Sequence, residues 1–348
     1  MLTAGPLIGE VDMRVPIIKL TSAILSALSF VVITACSQAE VTAQDTKATL
    51  PPVAGQNVKS DITVTVLGSG TPIPTADQFG ASILVQAGGQ DLLFDCGRGC
   101  TTRLTQVNRR LITDVQNLFL THLHSDHIVG IDDLWMNGWT QGRNDPLQVY
   151  GPTGTKRFFT HLKEAFSEDI NVRLKKGLPA TTDGIALTMT DMTEDQIVHE
   201  QDGVKVTAFL VDHKPVDPAF GYRIDYAGRS VVISGDTKPS ENLVKNSLGA
   251  DVVLHEVMSP AIVEYIRTNF TDEQFKSIVG IHTTAEQAAN IFAEITPDLA
   301  VYYHTRITPK DRSSLLTVTA ETYAGRVEVG NDLFQILIGD DIKTSTLE

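Results

Sequence analysis

The stretch THLHSDHIVG (Thr121–Gly130) holds three histidines and one aspartate within six positions. Neutral imidazole and carboxylate groups are the ligands that divalent metals such as zinc prefer. In an extended backbone, residues two apart face the same way, so His122 and His124 can reach one ion. Asp126 and His127 follow, where a turn into a helix would direct them toward a second position. One histidine alone would more often be an ordinary polar residue of a loop, but four such side chains together predict a metal site.

Strand-like segments along the chain end in ligand-type residues. Four strand-like segments, DVQNLFLTH, GVKVTAFLVDH, RSVVISGD and PDLAVYYH, end at His122, His213, Asp236 and His304. Sheets bind ligands at the carboxyl ends of their strands, where the loops converge. Each residue alone would more often be a surface or capping group. Four strand ends that each deliver a histidine or an aspartate predict a dinuclear metal centre.

A helix is predicted directly after His282. Thr283 and Glu286 have the spacing of a capping box, and a helical stripe of apolar residues follows until Pro297 ends it. The stripe consists of Ala285, Ala288, Ala289, Phe292 and Ile295. From spacing alone, His282 serves equally well as a capping-loop residue or as part of the site.

The composition indicates a globular, acidic protein. The chain has 348 residues, of which 42% are hydrophobic and 20% charged, which suits one large or two small domains. Its net charge is −14. An acidic field repels phosphate backbones, so general nucleic-acid binding is disfavoured, although a local basic groove stays open.

The N-terminal segment is predicted to be an export signal. From Met13 the chain reads MRVPIIKLTSAILSALSFVVITACSQ, a basic start, an apolar stretch and a small-residue ending. The apolar part is too short for a comfortable transmembrane helix. Its end, ITAC, resembles a bacterial lipobox, in which Cys36 would carry lipid. Residues 1–36 are therefore interpreted as a signal peptide with a lipobox, in which translation starts at Met13. A cytoplasmic protein is the alternative.

Residues 37–60 are polar, contain two adjacent prolines and show no period, so a flexible tether is predicted there. Ser37 after the lipidated cysteine favours the outer membrane, with the protein facing the periplasm. The globular domain would then span residues 61–348. Export would permit a disulfide between Cys96 and Cys100, but the spacing rarely gives relaxed bridge geometry, so both are interpreted as small buried residues.

The motif THLHSDH resembles the HxHxDH motif of the metallo-β-lactamase fold. Further pieces narrow the resemblance to the ribonuclease Z-like branch, which also includes zinc-dependent arylsulfatases and phosphodiesterases. In chain order they are LGSGTPIP, LLFDCGRG, VYGPTGT, FGYRID, SGDTKPSENL, LHEV, HTTAEQAANIF and YYHT. The resemblance implies an α/β fold, a four-layer αββα sandwich with the metals at one edge of its two sheets.

The resemblance also implies a role for each matching residue. The first metal would be held by His122, His124 and His213. The second would be held by Asp126, His127 and His304, and Asp236 would bridge the two. Glu256 and His282 match residues near the leaving group. The remaining histidines match no ligand position and are interpreted as structural or surface residues: His161, His199 and His255.

Differences within the fold narrow the expected reaction. Flavodiiron oxidoreductases carry Glu at the position of His124, and many β-lactamases carry Cys at that of Asp236, so neither activity is expected. Ribonuclease Z proper carries a long basic arm before the strand that ends at His213. Here residues 158–202 leave room for a helix, a loop and a short hairpin, with mixed charges. The arm that would clamp tRNA is therefore not expected.

The expected reaction is hydrolysis of a phosphodiester or sulfate ester through a hydroxide that bridges two zinc ions, with Mn²⁺ or Fe²⁺ compatible with the same ligands. Asp126 would orient the hydroxide, and His282 with Glu256 would protonate the leaving oxygen. The partner would be a small anionic ester, and a homodimer stays open.

Four aromatic residues could line a leaving-group pocket, although such residues more often form plain core: Trp135, Trp139, Phe220 and Tyr222. The alternatives are a ribonuclease Z-type tRNA 3′ endonuclease, a lactonase or other hydrolase of the metallo-β-lactamase fold, and a zinc-binding envelope protein without catalysis.

Overall fold

The computed structural model describes residues 60–177, 182–306 and 308–348. The predicted signal peptide, its lipobox and nearly all of the predicted tether lie outside the described residues. Within the described part of the chain, no helix combines the length and the apolar character needed to cross a membrane.

The first sheet has eight strands in the order β15-β14-β1-β2-β3-β4-β5-β6. Its strands are β1 (Ile62–Gly68), β2 (Ser82–Ala87), β3 (Gln90–Phe94), β4 (Asn117–Phe119), β5 (Leu147–Pro152), β6 (Leu187–Met192), β14 (Phe334–Ile338) and β15 (Ile342–Thr346). The strands from β15 to β3 pair antiparallel, whereas β3 to β6 pair in parallel.

The second sheet has seven strands in the order β13-β12-β11-β10-β9-β8-β7. Its strands are β7 (Gln196–Gln201), β8 (Val204–His213), β9 (Val216–Tyr226), β10 (Arg229–Ile233), β11 (Val252–Glu256), β12 (Leu299–Tyr303) and β13 (Val327–Val329). Strands β10 to β13 pair in parallel, and β8 runs in their direction because β9 pairs antiparallel with both neighbours.

The helices cover the outer faces of the two sheets. They are α1 (Cys100–Val107), α2 (Leu111–Asp114), α3 (Ser125–Ile128), α4 (Ile131–Thr140), α5 (Thr155–Ala165), α6 (Ser167–Lys175), α7 (Glu241–Ser247), α8 (Pro260–Asn269), α9 (Asp272–Val279), α10 (Ala285–Ile295) and α11 (Pro309–Ala320). One apolar cluster fills the space between the sheets. A second lies between the first sheet and α1, α4 and α5, and a third between the second sheet and α7, α10 and α11. These layers confirm the predicted αββα sandwich.

Strand direction determines where polar side chains gather. The parallel strands of each sheet end at the same edge, so the residues that follow β4, β8, β10 and β12 meet there. The central strands β11 and β12 are buried on both faces, with every residue buried. The candidate ligands accordingly lie at the last residue of a strand or in the loops beyond it, at one edge of the two sheets.

Two local expectations differ from the structure. The capping box of α10 uses Thr284 and Gln287 rather than Thr283 and Glu286, so the helix begins one residue later than predicted. The Thr283 hydroxyl instead donates a hydrogen bond to the Thr237 carbonyl at 2.6 Å. The predicted hairpin is also absent from the described residues between 158 and 202, because β6 and β7 join different sheets.

Candidate metal centre

The structure brings all seven predicted ligands together at the edge where the strands end. His122 follows β4, and the short helix α3 presents Asp126 and His127 one turn further on. From the second sheet, His213 ends β8, while Asp236 follows β10 and His304 follows β12. Six of the seven side chains are buried, and His124 is partly exposed.

The first group of candidate ligands consists of His122, His124, His213 and Asp236, whose ligand atoms lie within 4.8 Å of one another. His124 Nδ1 lies 2.9 Å from His122 Nε2 and 3.3 Å from His213 Nε2. Asp236 Oδ2 lies 3.8 Å from His122 Nε2 and 4.0 Å from His213 Nε2. Three ring nitrogens and a carboxylate oxygen thus converge on one point.

The second group consists of Asp126, His127 and His304. His304 Nε2 lies 3.1 Å from Asp126 Oδ2 and 3.2 Å from His127 Nε2. Asp236 faces this group as well, with Oδ2 at 3.4 Å from His127 Nε2 and Oδ1 at 3.5 Å from His304 Nδ1. Asp236 therefore stands between the two groups, in the position predicted for a bridging ligand.

The protonation states of the first group suit metal binding. Burial lowers the pKa of His122 well below its usual value, and the charge of His127 lowers it further. Burial likewise lowers the pKa of His124 and His213. All three imidazoles are therefore neutral at neutral pH, which is the form that coordinates a metal.

Asp236 dominates the charges of the second group. Burial opposes the charged form of His127 and His304, but the Asp236 carboxylate raises the pKa of both. Burial also raises the pKa of Asp236, but these two histidines lower it well below the usual range. Among the described residues, Asp236 Oδ1 is buried without a hydrogen-bond partner. Such an unmatched oxygen among five imidazoles and a second carboxylate fits coordination of divalent metal ions.

Asp95 orients the ligands from behind. Its carboxylate accepts hydrogen bonds from the Thr121 N–H and hydroxyl, both at 2.8 Å, and lies 2.8 Å from His127 Nδ1. Thr121 Oγ1 in turn lies 3.0 Å from His122 Nδ1. A partner on the outer ring nitrogen fixes the tautomer and direction of a ligating histidine. Sequence reasoning assigned Asp95 no role, although its place at the end of a strand, in LLFDCG, was a usable signal.

Glu256 and His282 form a pair beside the two groups. His282 Nδ1 lies 2.9 Å from Glu256 Oε1 and 4.0 Å from Asp236 Oδ2. Burial lowers the pKa of His282, but Glu256, through its charge and hydrogen bond, and Asp236 raise that pKa to about 9. The side chain is 18% exposed, which places His282 at the rim of the site, and the raised pKa favours its protonated form at neutral pH.

The remaining histidines lie in neither ligand group. His161 is exposed beside Glu164, His199 Nε2 lies 2.7 Å from Gln90 Oε1, and His255 is buried with Nδ1 at 2.6 Å from the Glu256 carbonyl oxygen. Cys96 and Cys100 are buried against the first sheet with both thiols free.

Of the two interpretations of the four aromatic residues, the structure supports plain core over a leaving-group pocket. Phe220 and Tyr222 lie between the sheets, and Trp135 and Trp139 pack beneath α6, each with no exposed surface. The Tyr222 hydroxyl donates to the Leu120 carbonyl at 2.6 Å, so it supports the loop before His122 rather than a substrate.

The sequence is similar to those of known metal-dependent hydrolases. Residues 62–306 match the family model described as Anti-Pycsar protein Apyc1. Ribonuclease Z of Mycobacterium marinum is 35% identical over 280 residues, which cover 79% of this chain and 98% of that protein.

Solved structures show the same fold. Human tRNase Z, short form, superposes with a TM-score of 0.60 at 20% identity, over 80% of this chain and 99% of that one. PqqB from Methylobacterium extorquens, solved with Zn²⁺ bound, gives a TM-score of 0.55 at 17% identity, over 78% and 98% of the two chains. The chain therefore belongs to the Anti-Pycsar protein Apyc1 family and, within the metallo-β-lactamase fold, to the ribonuclease Z-like hydrolases.

Proposed function

We propose that the protein is a dinuclear metal-dependent phosphodiesterase. The observation that carries this proposal is the position of Asp236, which lies within 4.0 Å of histidines from both ligand groups. A carboxylate shared in this way suits two ions held side by side, the arrangement used to displace a leaving group from phosphorus. Zinc is the first choice for both ions, and Mn²⁺ or Fe²⁺ would suit the same ligands.

Bound at the two groups, divalent ions would supply Lewis acidity, which makes a water molecule nucleophilic at neutral pH and neutralises charge on the ester. The chain's own residues would do the rest. Asp126 would accept a hydrogen bond from the attacking water and so orient it. His282, kept protonated by Glu256, would donate its proton to the departing oxygen.

The relatives, and not the ligands, support one type of ester over the other. Phosphodiesters and sulfate monoesters are both tetrahedral anions, so the same residues suit either. The name ribonuclease Z, carried by a relative that this chain covers almost completely, favours the phosphodiester. The sulfate ester is therefore placed second.

The relatives also favour RNA over a small diester, so ribonuclease Z-type cleavage of tRNA precursors is the first substrate class to test. The sequence alone favours a small ester. One observation keeps the small diester as the second candidate. Between residues 153 and 195, where ribonuclease Z would carry its basic arm, this chain has six basic and seven acidic residues. This segment has no excess positive charge with which to hold a polyanion.

A substrate panel tests the proposal. The purified protein, supplied with zinc, is assayed on a tRNA precursor, a bis-aryl phosphate, an aryl phosphonate, an aryl sulfate, an acyl lactone and a cephalosporin, with Asp236→Ala as the matched inactive control. We expect turnover of the diesters and little of the others. Fast tRNA cleavage with slow turnover of small diesters would establish the ribonuclease; the reverse would establish a small-diester hydrolase. A preference for the sulfate, lactone or cephalosporin, or zinc binding without any turnover, would overturn the proposal.

A further inference from the structure

Asp332 is a buried carboxylate far from the metal-binding motif in sequence. It lies in the turn between β13 and β14 and is only 7% exposed. Its Oδ1 accepts hydrogen bonds from the N–H and the hydroxyl of Ser69, at 2.9 and 2.8 Å. Its Oδ2 accepts from the Phe79 N–H at 2.8 Å and from the Arg103 guanidinium at 3.0 and 3.1 Å. Both oxygens are thus fully used.

The two backbone groups that Asp332 binds are the two ends of one loop. Ser69 begins the loop and Phe79 ends it, and the Gly70 N–H donates to the Phe79 carbonyl at 2.7 Å. Residues 72–77 between them are exposed. A single carboxylate therefore closes the base of this loop, and the Arg103 side chain covers it by stacking 4.4 Å above the Phe79 ring.

The loop base contacts the second ligand group from two sides. On one side, the Thr305 N–H donates to the Ser69 carbonyl at 3.0 Å, and Gln78 Nε2 donates to the Thr305 carbonyl at 3.0 Å and to Ser69 Oγ at 3.1 Å. Thr305 directly follows His304. On the other side, Gly80 is packed so tightly that an added Cβ would lie 2.7 Å from the Asp126 carbonyl oxygen.

The backbone of His304 needs such support. Its φ is +50°, a left-handed conformation that is unfavourable for a residue with a side chain. Such a conformation persists where the surrounding structure fixes it. The Thr305 N–H donates to the Ser69 carbonyl and the Thr305 carbonyl accepts from Gln78; these two hydrogen bonds fix Thr305 and thereby hold the preceding His304 in the orientation that faces Asp126.

We propose that Asp332 is a positioning residue for the second metal ion. It acts through the loop base, which holds His304 against Asp126 and His127, while His122, His124 and His213 are oriented by other contacts. This inference rests on the metal centre of the proposed function, but it does not depend on the identity of the ester.

The test is the affinity of the full-length protein for each of two Co²⁺ or Zn²⁺ equivalents, measured by chelator competition and by the visible spectrum of the Co²⁺ form. In Asp332→Asn, the amide NH₂ would face a backbone N–H or the Arg103 guanidinium, all of them donors. We expect the second equivalent to bind about tenfold or more weakly and the first to bind unchanged. Gln78→Ala, which removes one of the two hydrogen bonds to Thr305, should act in the same direction. The double variant should lose less than the sum of the two losses, because both act through one network.

Asp251→Asn is the matched control. Asp251 also accepts from a backbone N–H and a hydroxyl, those of Ser230 at 2.7 and 3.1 Å, and lies 3.8 Å from Arg229, but it stands at the opposite edge of the second sheet. The Asp251→Asn variant should have a lower melting temperature than the wild type, with both metal affinities unchanged. Equal weakening of both equivalents in Asp332→Asn, or unchanged binding of the second, would overturn the inference. A wild-type protein that binds a single equivalent would overturn it too. None of these measurements depends on diester hydrolysis. A failure of the proposed reaction would therefore be distinguished from a failure of this inference.

Discussion

His282 and Glu256 share a hydrogen bond of 2.9 Å beside the metal ligands, and the Thr237 N–H donates a second hydrogen bond to Glu256 Oε1 at 3.0 Å. Glu256 is 1% exposed, so water does not screen its charge from the imidazole. The pair can therefore keep one proton ready at the rim of the site over a wide pH range.

Glu256→Gln should move the alkaline limb of the kcat–pH profile to lower pH. The raised pKa of His282, about 9, keeps the general acid protonated below that pH, and activity falls as the pH rises through it. Without the carboxylate this pKa drops, so the loss begins earlier, and kcat at neutral pH should fall about a hundredfold. Rates on a bis-aryl phosphate across pH measure this. Glu264→Gln on the neighbouring helix is the control, and an identical profile in wild type and Glu256→Gln would exclude the assigned role.

His124→Ala and Asp236→Ala should differ in how much metal they retain. His124 contacts the first group alone, so its loss should remove one equivalent, whereas Asp236 contacts both groups and its loss should weaken both. We expect affinity losses of about 10–100-fold or more, read from metal analysis after dialysis. His161→Ala, which alters an exposed histidine, should retain full metal content. Equal metal content in all three variants would contradict the assignment of His124 and Asp236 as metal ligands.

Gly97→Ala should disturb the second ligand group and lower stability. An added Cβ would lie 2.1 Å from the Asp126 carbonyl oxygen and 2.5 Å from the Gly80 carbonyl carbon, both of them backbone atoms that cannot rotate away. The free energy of unfolding should fall by about 2 kcal/mol, as for other overpacked sites. Denaturant titration measures this loss. Gly330→Ala, whose Cβ would meet its neighbours at 3.2 Å or more, should cost much less; equal losses would contradict the steric explanation.

We propose that the mature protein is lipidated at Cys36 and tethered in the periplasm, as the N-terminal sequence predicts. Palmitate labelling should mark the wild type and disappear in Cys36→Ser, which should then fractionate as a released, active protein. One acyl chain holds a protein weakly, at about 0.8 kcal/mol per buried CH₂, so stable anchoring requires several chains. Unlabelled full-length protein in the cytosol would refute export and strengthen the case for tRNA as the substrate.

The position of the candidate site could be predicted because strand direction and ligand chemistry point to the same place. His122, His213, Asp236 and His304 each stand at or just beyond the end of a strand, and parallel strands must end at a common edge. The grouping of the seven ligands came from the family resemblance, because spacing alone does not tell which strand ends are neighbours.

The supporting residues were harder to predict. Asp332 joins Ser69 across 263 positions of the chain, and no local pattern marks such a contact. Asp95 stands at a strand end, but one carboxylate looks the same whether it binds a metal or orients a histidine. The error at Thr283 arose because Thr283 and Thr284 both begin a capping pattern, and the hydrogen bond from Thr283 to Thr237 decides between them. Trp135 and Trp139 are core, as aromatic residues more often are, but composition alone does not exclude a pocket.

Each ligand group draws residues from both sheets: His122 and His124 face His213 and Asp236, and Asp126 and His127 face His304. A bound ion would therefore act as a crosslink between the two halves of the sandwich, in addition to any part in hydrolysis. Binding to the folded form alone stabilises a protein by RT ln(1 + [L]/Kd), or about 2.7 kcal/mol at a free concentration 100 times Kd. Chelation should accordingly lower the melting temperature, and scarcity of the metal would shorten the lifetime of the folded protein. The concentration of free zinc around the protein would then govern its abundance as well as its turnover.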